Sequence, residues 1–155
     1  MAASKNLVKN SDFRQGLAPW KGSQIRVVSN PLIKGDSALL MKALSGDAIV
    51  SQRQPFLPQT NMAYYLYFRV FNATPRQGDA SLQAVVAYQD ANGNNLRITP
   101  LLLEIPSTNT PKYLNYYTIV PPPPKTTRKI LVVFVLKSGL ILLDTIRLLA
   151  RPVGS

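Results

Sequence analysis

Tyr65, Tyr67 and Arg69 recur at every second position within Tyr64-Tyr65-Leu66-Tyr67-Phe68-Arg69-Val70-Phe71. In an extended strand that spacing puts all three on one face. Two flat rings there would form a platform for the apolar faces of sugar rings, and the guanidinium beside them would grip hydroxyls or an acidic group. Gln83, on the outward side of a neighbouring run, reads as a fourth contact. The candidate ligand-binding set is therefore Tyr65, Tyr67, Arg69 and Gln83. Tyr113, Tyr116 and Tyr117 form a second, weaker group, because alternation sends at least one of them into the core. Trp20, the single Trp, reads as a packing residue rather than a sugar platform.

The remaining inventory excludes much chemistry. With no His and no Cys, Ser-His-Asp and Cys-His nucleophiles, Cys/His zinc sites and disulfides are all impossible. Glu104 is the only Glu, and Asp79 and Asp90 lie in evident turns, where backbone hydrogen bonding accounts for them. A glycosidase needs two carboxylates about 5 to 10 Å apart across the scissile bond. No such pair is legible, so no catalytic residue is assigned and the chain reads as a non-enzyme. Lys and Arg outnumber Asp and Glu by 18 to 7, a formal +11. These cations are scattered singly, apart from Lys125-Thr126-Thr127-Arg128-Lys129, which favours diffuse attraction to acidic polymers over a specific nucleic-acid site.

The elements that must position these residues are strands. Apolar runs alternate with Gly, Pro, Asn and Asp, and no segment sustains a capped helical period. Strands are expected near Asn6 to Val8, Gln24 to Ser29, Ser37 to Ala43, Asp47 to Gln54, Met62 to Asn72, Ala80 to Tyr88, Asn95 to Ile105, Lys112 to Val120, Arg128 to Lys137 and Leu140 to Leu149. Tyr64, Leu66, Phe68 and Val70 should face the core, as should Leu82, Ala84, Val86 and Tyr88. Pro121 to Pro124 reads as a stiff crossing rather than a linker. The expectation is an all-β, two-sheet sandwich in one domain over residues 1–155, with short flexible ends at about 1–5 and 151–155. No run reaches the ~18 apolar residues that would span a bilayer, and the opening Met1 to Asn10 lacks the apolar core of a secretory signal.

Both ends of the chain carry a resemblance. Asn6-Leu7-Val8-Lys9-Asn10, then Phe13, Gly16 and Trp20, resembles the opening motif of carbohydrate-binding-module-like, galactose-binding-like jelly rolls. Tyr117-Thr118-Ile119-Val120-Pro121 and Leu143-Asp144-Thr145-Ile146-Arg147-Leu148 are similar to that family's closing motif, and Gly35-Asp36-Ser37-Ala38-Leu39 to a middle one. A looser likeness is to the N-terminal domains of collagen-like surface proteins of spore-forming bacteria. The resemblance implies a jelly roll without catalytic role that binds glycans or builds surface assemblies, and by implication a cell or spore surface. Many such modules hold a structural calcium with one acid after the opening Phe and one in the closing motif. Asp144 matches the second, but Arg14 stands at the first and Asp12 only beside it, so neither metal nor other cofactor is expected.

The C-terminal region is apolar on both faces. Ile130 to Leu136 and Leu140 to Leu143, broken by Lys137-Ser138-Gly139, read as a hairpin. One face of that hairpin needs a cover. Leu131, Val133, Val135 and Leu142 are accordingly expected at a homo-oligomer interface, unless the N-terminal segment or the proline crossing covers them. Two functions follow: a non-catalytic module for a polysaccharide, plausibly an acidic one given the charge, or a structural surface or spore-coat protein that self-assembles.

Overall fold

In a computed structural model, residues 5–59 and 61–153 are described. Among the described residues nine strands follow one another: β1 Lys21–Ser23, β2 Ile25–Ser29, β3 Ser37–Ala43, β4 Ala48–Pro55, β5 Met62–Asn72, β6 Ala80–Gln89, β7 Asn95–Ile105, β8 Leu114–Val120 and β9 Lys129–Pro152. A single 3-10 turn, Pro75–Gln77, joins β5 to β6. Every pairing is antiparallel. Sheet A runs β1-β4-β9-β6-β7 and sheet B runs β2-β3-β9-β5-β8. The architecture is a two-sheet jelly-roll β-sandwich.

The expected C-terminal hairpin is instead one strand. β9 is 24 residues long; its first half lies between β4 and β6 at the centre of sheet A, and its second half between β3 and β5 at the centre of sheet B. The change of sheet falls at Lys137-Ser138-Gly139, the break in the apolar run. Gly139 has φ +100°, and a Cβ there would sit 2.7 Å from Thr74 Oγ1 and 2.8 Å from Ala80 Cβ. Only glycine meets both demands.

The core fills the space between the sheets. Leu66, Phe68 and Val70 of β5 face Val132, Phe134 and Leu136 of β9, all at most 1% exposed. Phe68 and Phe134 meet edge-to-face across the sandwich, with centroids 5.0 Å apart. Tyr64, Leu82, Ala84, Val86 and Tyr88 point inward as alternation requires. The anticipated strand at Asn6 to Val8 does not form. That segment runs alongside the end of β9 beyond the reach of β3, with Leu7 N donating to the Leu148 carbonyl and Leu148 N to Asn6 Oδ1. Trp20 is buried, its indole N–H donating to the Asn10 carbonyl. The short β1 is not legible in the sequence, because Lys21-Gly22-Ser23 carries no strand-like side chain. The expected loose ends fall mostly outside the described residues, although Arg151 and Pro152 complete β9.

Candidate functional site

Tyr65, Tyr67 and Arg69 stand together on the outer face of sheet B. The antiparallel register sets Tyr67 directly between Tyr117 of β8 and Arg147 of β9, and Tyr65 between Ile119 and Leu149. The Arg147 guanidinium lies 5.8 Å from the centre of the Tyr67 ring, a cation–π contact, and Tyr67 Oη donates to Asn115 Oδ1 at 2.9 Å. Tyr117 is 69% exposed and Ile119 49%. The result is a wet face with two adjacent tyrosine rings, a cation and an amide.

Arg69 belongs to a different arrangement. Its guanidinium is bonded to the buried carboxylate of Asp144, donates to Thr145 Oγ1 at 3.2 Å and lies 5.3 Å from the Tyr113 ring. Tyr113 Oη in turn donates to Asn30 Oδ1, which also accepts from the Leu32 and Ile33 backbone. Burial, then the negative charge of Asp144, pushes the Tyr113 phenol above its ordinary range. Arg69 thus neutralises an internal acid at the bulge where β9 shifts register against β5, marked by Thr145 at φ +51°.

The other sequence candidates separate. Gln83 lies on the outer face of sheet A, between Leu102 and Val135, so it cannot share a ligand with the tyrosines. The alternation of β5 and β6 gives each an outward set, but says nothing of which sheet each joins. Leu131, Val133 and Val135 share that sheet A face with Gln83. Leu142, beyond the crossing, lies between Leu40 and Phe71 on sheet B and is only 5% exposed. It therefore does not join the other three. Tyr116 turns inward onto Phe68 at 5.8 Å, leaving Tyr117 as the outward member of its pair.

At the far end of the sheet B face a cleft of about 310 Å³ is lined by Gln24, Ile25, Arg26, Leu40, Lys42 and Leu140, with two cations and no carboxylate. A structural cation does not fit the residues matched to the family's metal acids. Arg14 Nε lies between Asp12 at 3.2 Å and Asp36 at 3.3 Å, and Asp144 already holds Arg69. Among the described residues no group of three acids gathers that could hold a metal. No helix of the described residues is long and apolar enough to cross a membrane.

The sandwich is shared with solved carbohydrate-binding modules. TmCBM61, solved with β-1,4-galactotriose, superposes with a TM-score of 0.68 at 16% identity, over 96% of this chain and 100% of that one. A family 11 module from Clostridium thermocellum, solved with a β-1,3-1,4-mixed-linked tetrasaccharide, gives 0.64 at 13%, over 99% and 100%. The enzymatically active domain of a bacteriophage CBA120 tailspike protein gives 0.71 at 18%, but the 94% of this chain that aligns spans only 21% of it. No family model and no curated protein matches the sequence. The narrower likeness to collagen-like spore-surface proteins finds no support in these comparisons.

Arg147, Asn115 and the prominence of Tyr117 were not legible beforehand. Each is an ordinary outward residue of its own strand. Only the pairing of β5 with both β8 and β9 brings them around Tyr67.

Proposed function

We propose that the chain is a non-catalytic module that binds a polysaccharide on the outer face of sheet B. Tyr67 and Tyr117 stack on sugar rings, Tyr65 extends the platform, and Arg147 and Asn115 take hydroxyls or acid groups. The observation that carries this reading is the direct opposition of Tyr67 and Tyr117 on an open sheet face, with Arg147 over one ring. The sugar ligands of TmCBM61 and the family 11 module, on the same fold, support the ligand class. Arg147, Arg26 and Lys42 lie on this sheet while Asp144 is neutralised internally, which favours acidic over neutral polymers. The non-catalytic part is supported by six of the seven carboxylates: Asp12 and Asp36 are bridged by Arg14, Asp47 is paired with Lys137, Asp90 is engaged in its own turn, Glu104 accepts from Ser81 and Asp144 is bonded to Arg69.

Affinity electrophoresis through gels of galactan, mixed-linkage β-glucan and polygalacturonate tests the reading. Retention is expected, strongest in polygalacturonate and weakened by salt, and lost in Tyr67→Ala and Tyr117→Ala proteins with unchanged melting. Migration unaffected by every polymer, or retention that survives both substitutions, would sink it.

A further inference from the structure

Among the described residues the outer face of sheet A carries no aromatic ring, and its middle is mostly apolar, with Gln83 and Ser51 the polar members of its central rows. Its register rows place Val85 between Pro100 and Val133, and Ala87 between Ile98 and Leu131. Leu102 is 69% exposed and Ile98 51%. The hydrogen bonds of the N-terminal segment go to Gln52 and to the sheet B half of β9, and those of the proline crossing to Tyr88 and Arg97; Pro19 borders only the corner at Ser51, Arg53 and Leu131.

We propose that a second copy of this chain covers this face with its own, the strands of the two sheets crossing near a right angle. Edge-to-edge association is the alternative use of a sheet, and both edges of sheet A discourage it. β1 is three residues long, and β7 carries Pro100 in its middle, which cannot donate to a new neighbour. Five strands about 4.8 Å apart and three outward rows about 7 Å apart present on the order of 500 Å² per copy. A pair would then bury about 1,000 Å², the lower bound of a specific interface.

The charges at the margins choose the orientation. Arg53, whose Nε donates to Gln89 Oε1, lies at one corner, on β4 in the row of Leu131, and Glu104, which accepts from Ser81 Oγ, lies at the diagonally opposite corner, on β7 one row beyond Leu102. A two-fold axis along the other diagonal exchanges these corners, so each Arg53 meets the partner's Glu104. Such an axis crosses the strands at about 90°, one of the two ways sheets pack, with roughly 10 Å between them for an arginine and a glutamate to bridge. This surface is on the opposite side of the sandwich from the tyrosine face, so association and ligand binding are separable.

Sedimentation velocity on the full chain at low and high salt tests the proposal. A species of twice 17.1 kDa is expected, favoured by salt because two copies each at +11 repel. Val133→Lys should leave a monomer that melts within a few degrees of wild type, the small loss being that of the association itself. Arg53→Glu or Glu104→Arg alone should weaken association about tenfold, and the double reversal should restore it to within about threefold. A monomer at every concentration and salt, or a dimer that survives Val133→Lys, overturns the proposal. A dimer lost on Val133→Lys but indifferent to both charge reversals overturns the perpendicular pairing.

Discussion

Arg69 and Asp144 are direct partners across β5 and β9, and the guanidinium of the first is bonded to the fully buried carboxylate of the second. Removing one member strands the other's charge. Arg69→Ala should therefore cost about 3–5 kcal/mol in urea unfolding, whereas Arg69→Met with Asp144→Leu should come close to wild type. If Arg69 positions the sheet rather than touching ligand, the double variant keeps its polysaccharide retention. A single variant as stable as wild type would show the pair to be dispensable.

Lysine at Leu142 and lysine at Val133 should behave differently, although both residues sit in one apolar run. Leu142 is 5% exposed between Leu40 and Phe71, so a lysine there must give up that packing and reach past its neighbours to water, and the protein should lose about 1–3 kcal/mol. Val133 faces the open side of sheet A, and its lysine variant should melt within a few degrees of wild type. Circular dichroism melts of the two proteins decide the matter.

Gly139 should be intolerant of even a methyl group. Positive φ alone costs about 1 kcal/mol, which is all that Gly35→Ala should lose at φ +81° with open space around it. At Gly139 the new Cβ also meets Thr74 and Ala80, adding roughly 1–3 kcal/mol of overpacking. Equal midpoints for the two alanine variants in urea would contradict this account of the strand crossing.

Alkali should expose the buried and half-buried tyrosines together. Four of the seven, Tyr64, Tyr88, Tyr113 and Tyr116, have phenols raised above 10, with burial as the first cause in each. A raised folded pKa stabilises fully below the unfolded value and is lost as pH climbs from 10 toward the raised values. The tyrosinate absorbance of these four should therefore appear only above pH 10 and coincide with loss of near-ultraviolet circular dichroism. Ionisation of all four with the fold intact would contradict the burial of Tyr64 and Tyr88 and the partial burial of Tyr113 and Tyr116.

Periodicity alone determined the class of the fold and the inward sets, because alternate residues of a strand must face opposite sides and only one side of Leu66-Phe68-Val70 or Leu82-Ala84-Val86 is uniformly apolar. The absence of His and Cys set the limits of the chemistry. What the sequence could not carry was which strands are neighbours. Tyr67 finds Tyr117 and Arg147, Arg69 finds Asp144, and Gln83 parts from the tyrosines through pairings between residues far apart in the chain. The apolar run from Ile130 to Leu143 satisfied a hairpin and a single crossing strand equally well. The close approach of Thr74 and Ala80 to Gly139, a contact made only in three dimensions, marks the crossing as the outcome.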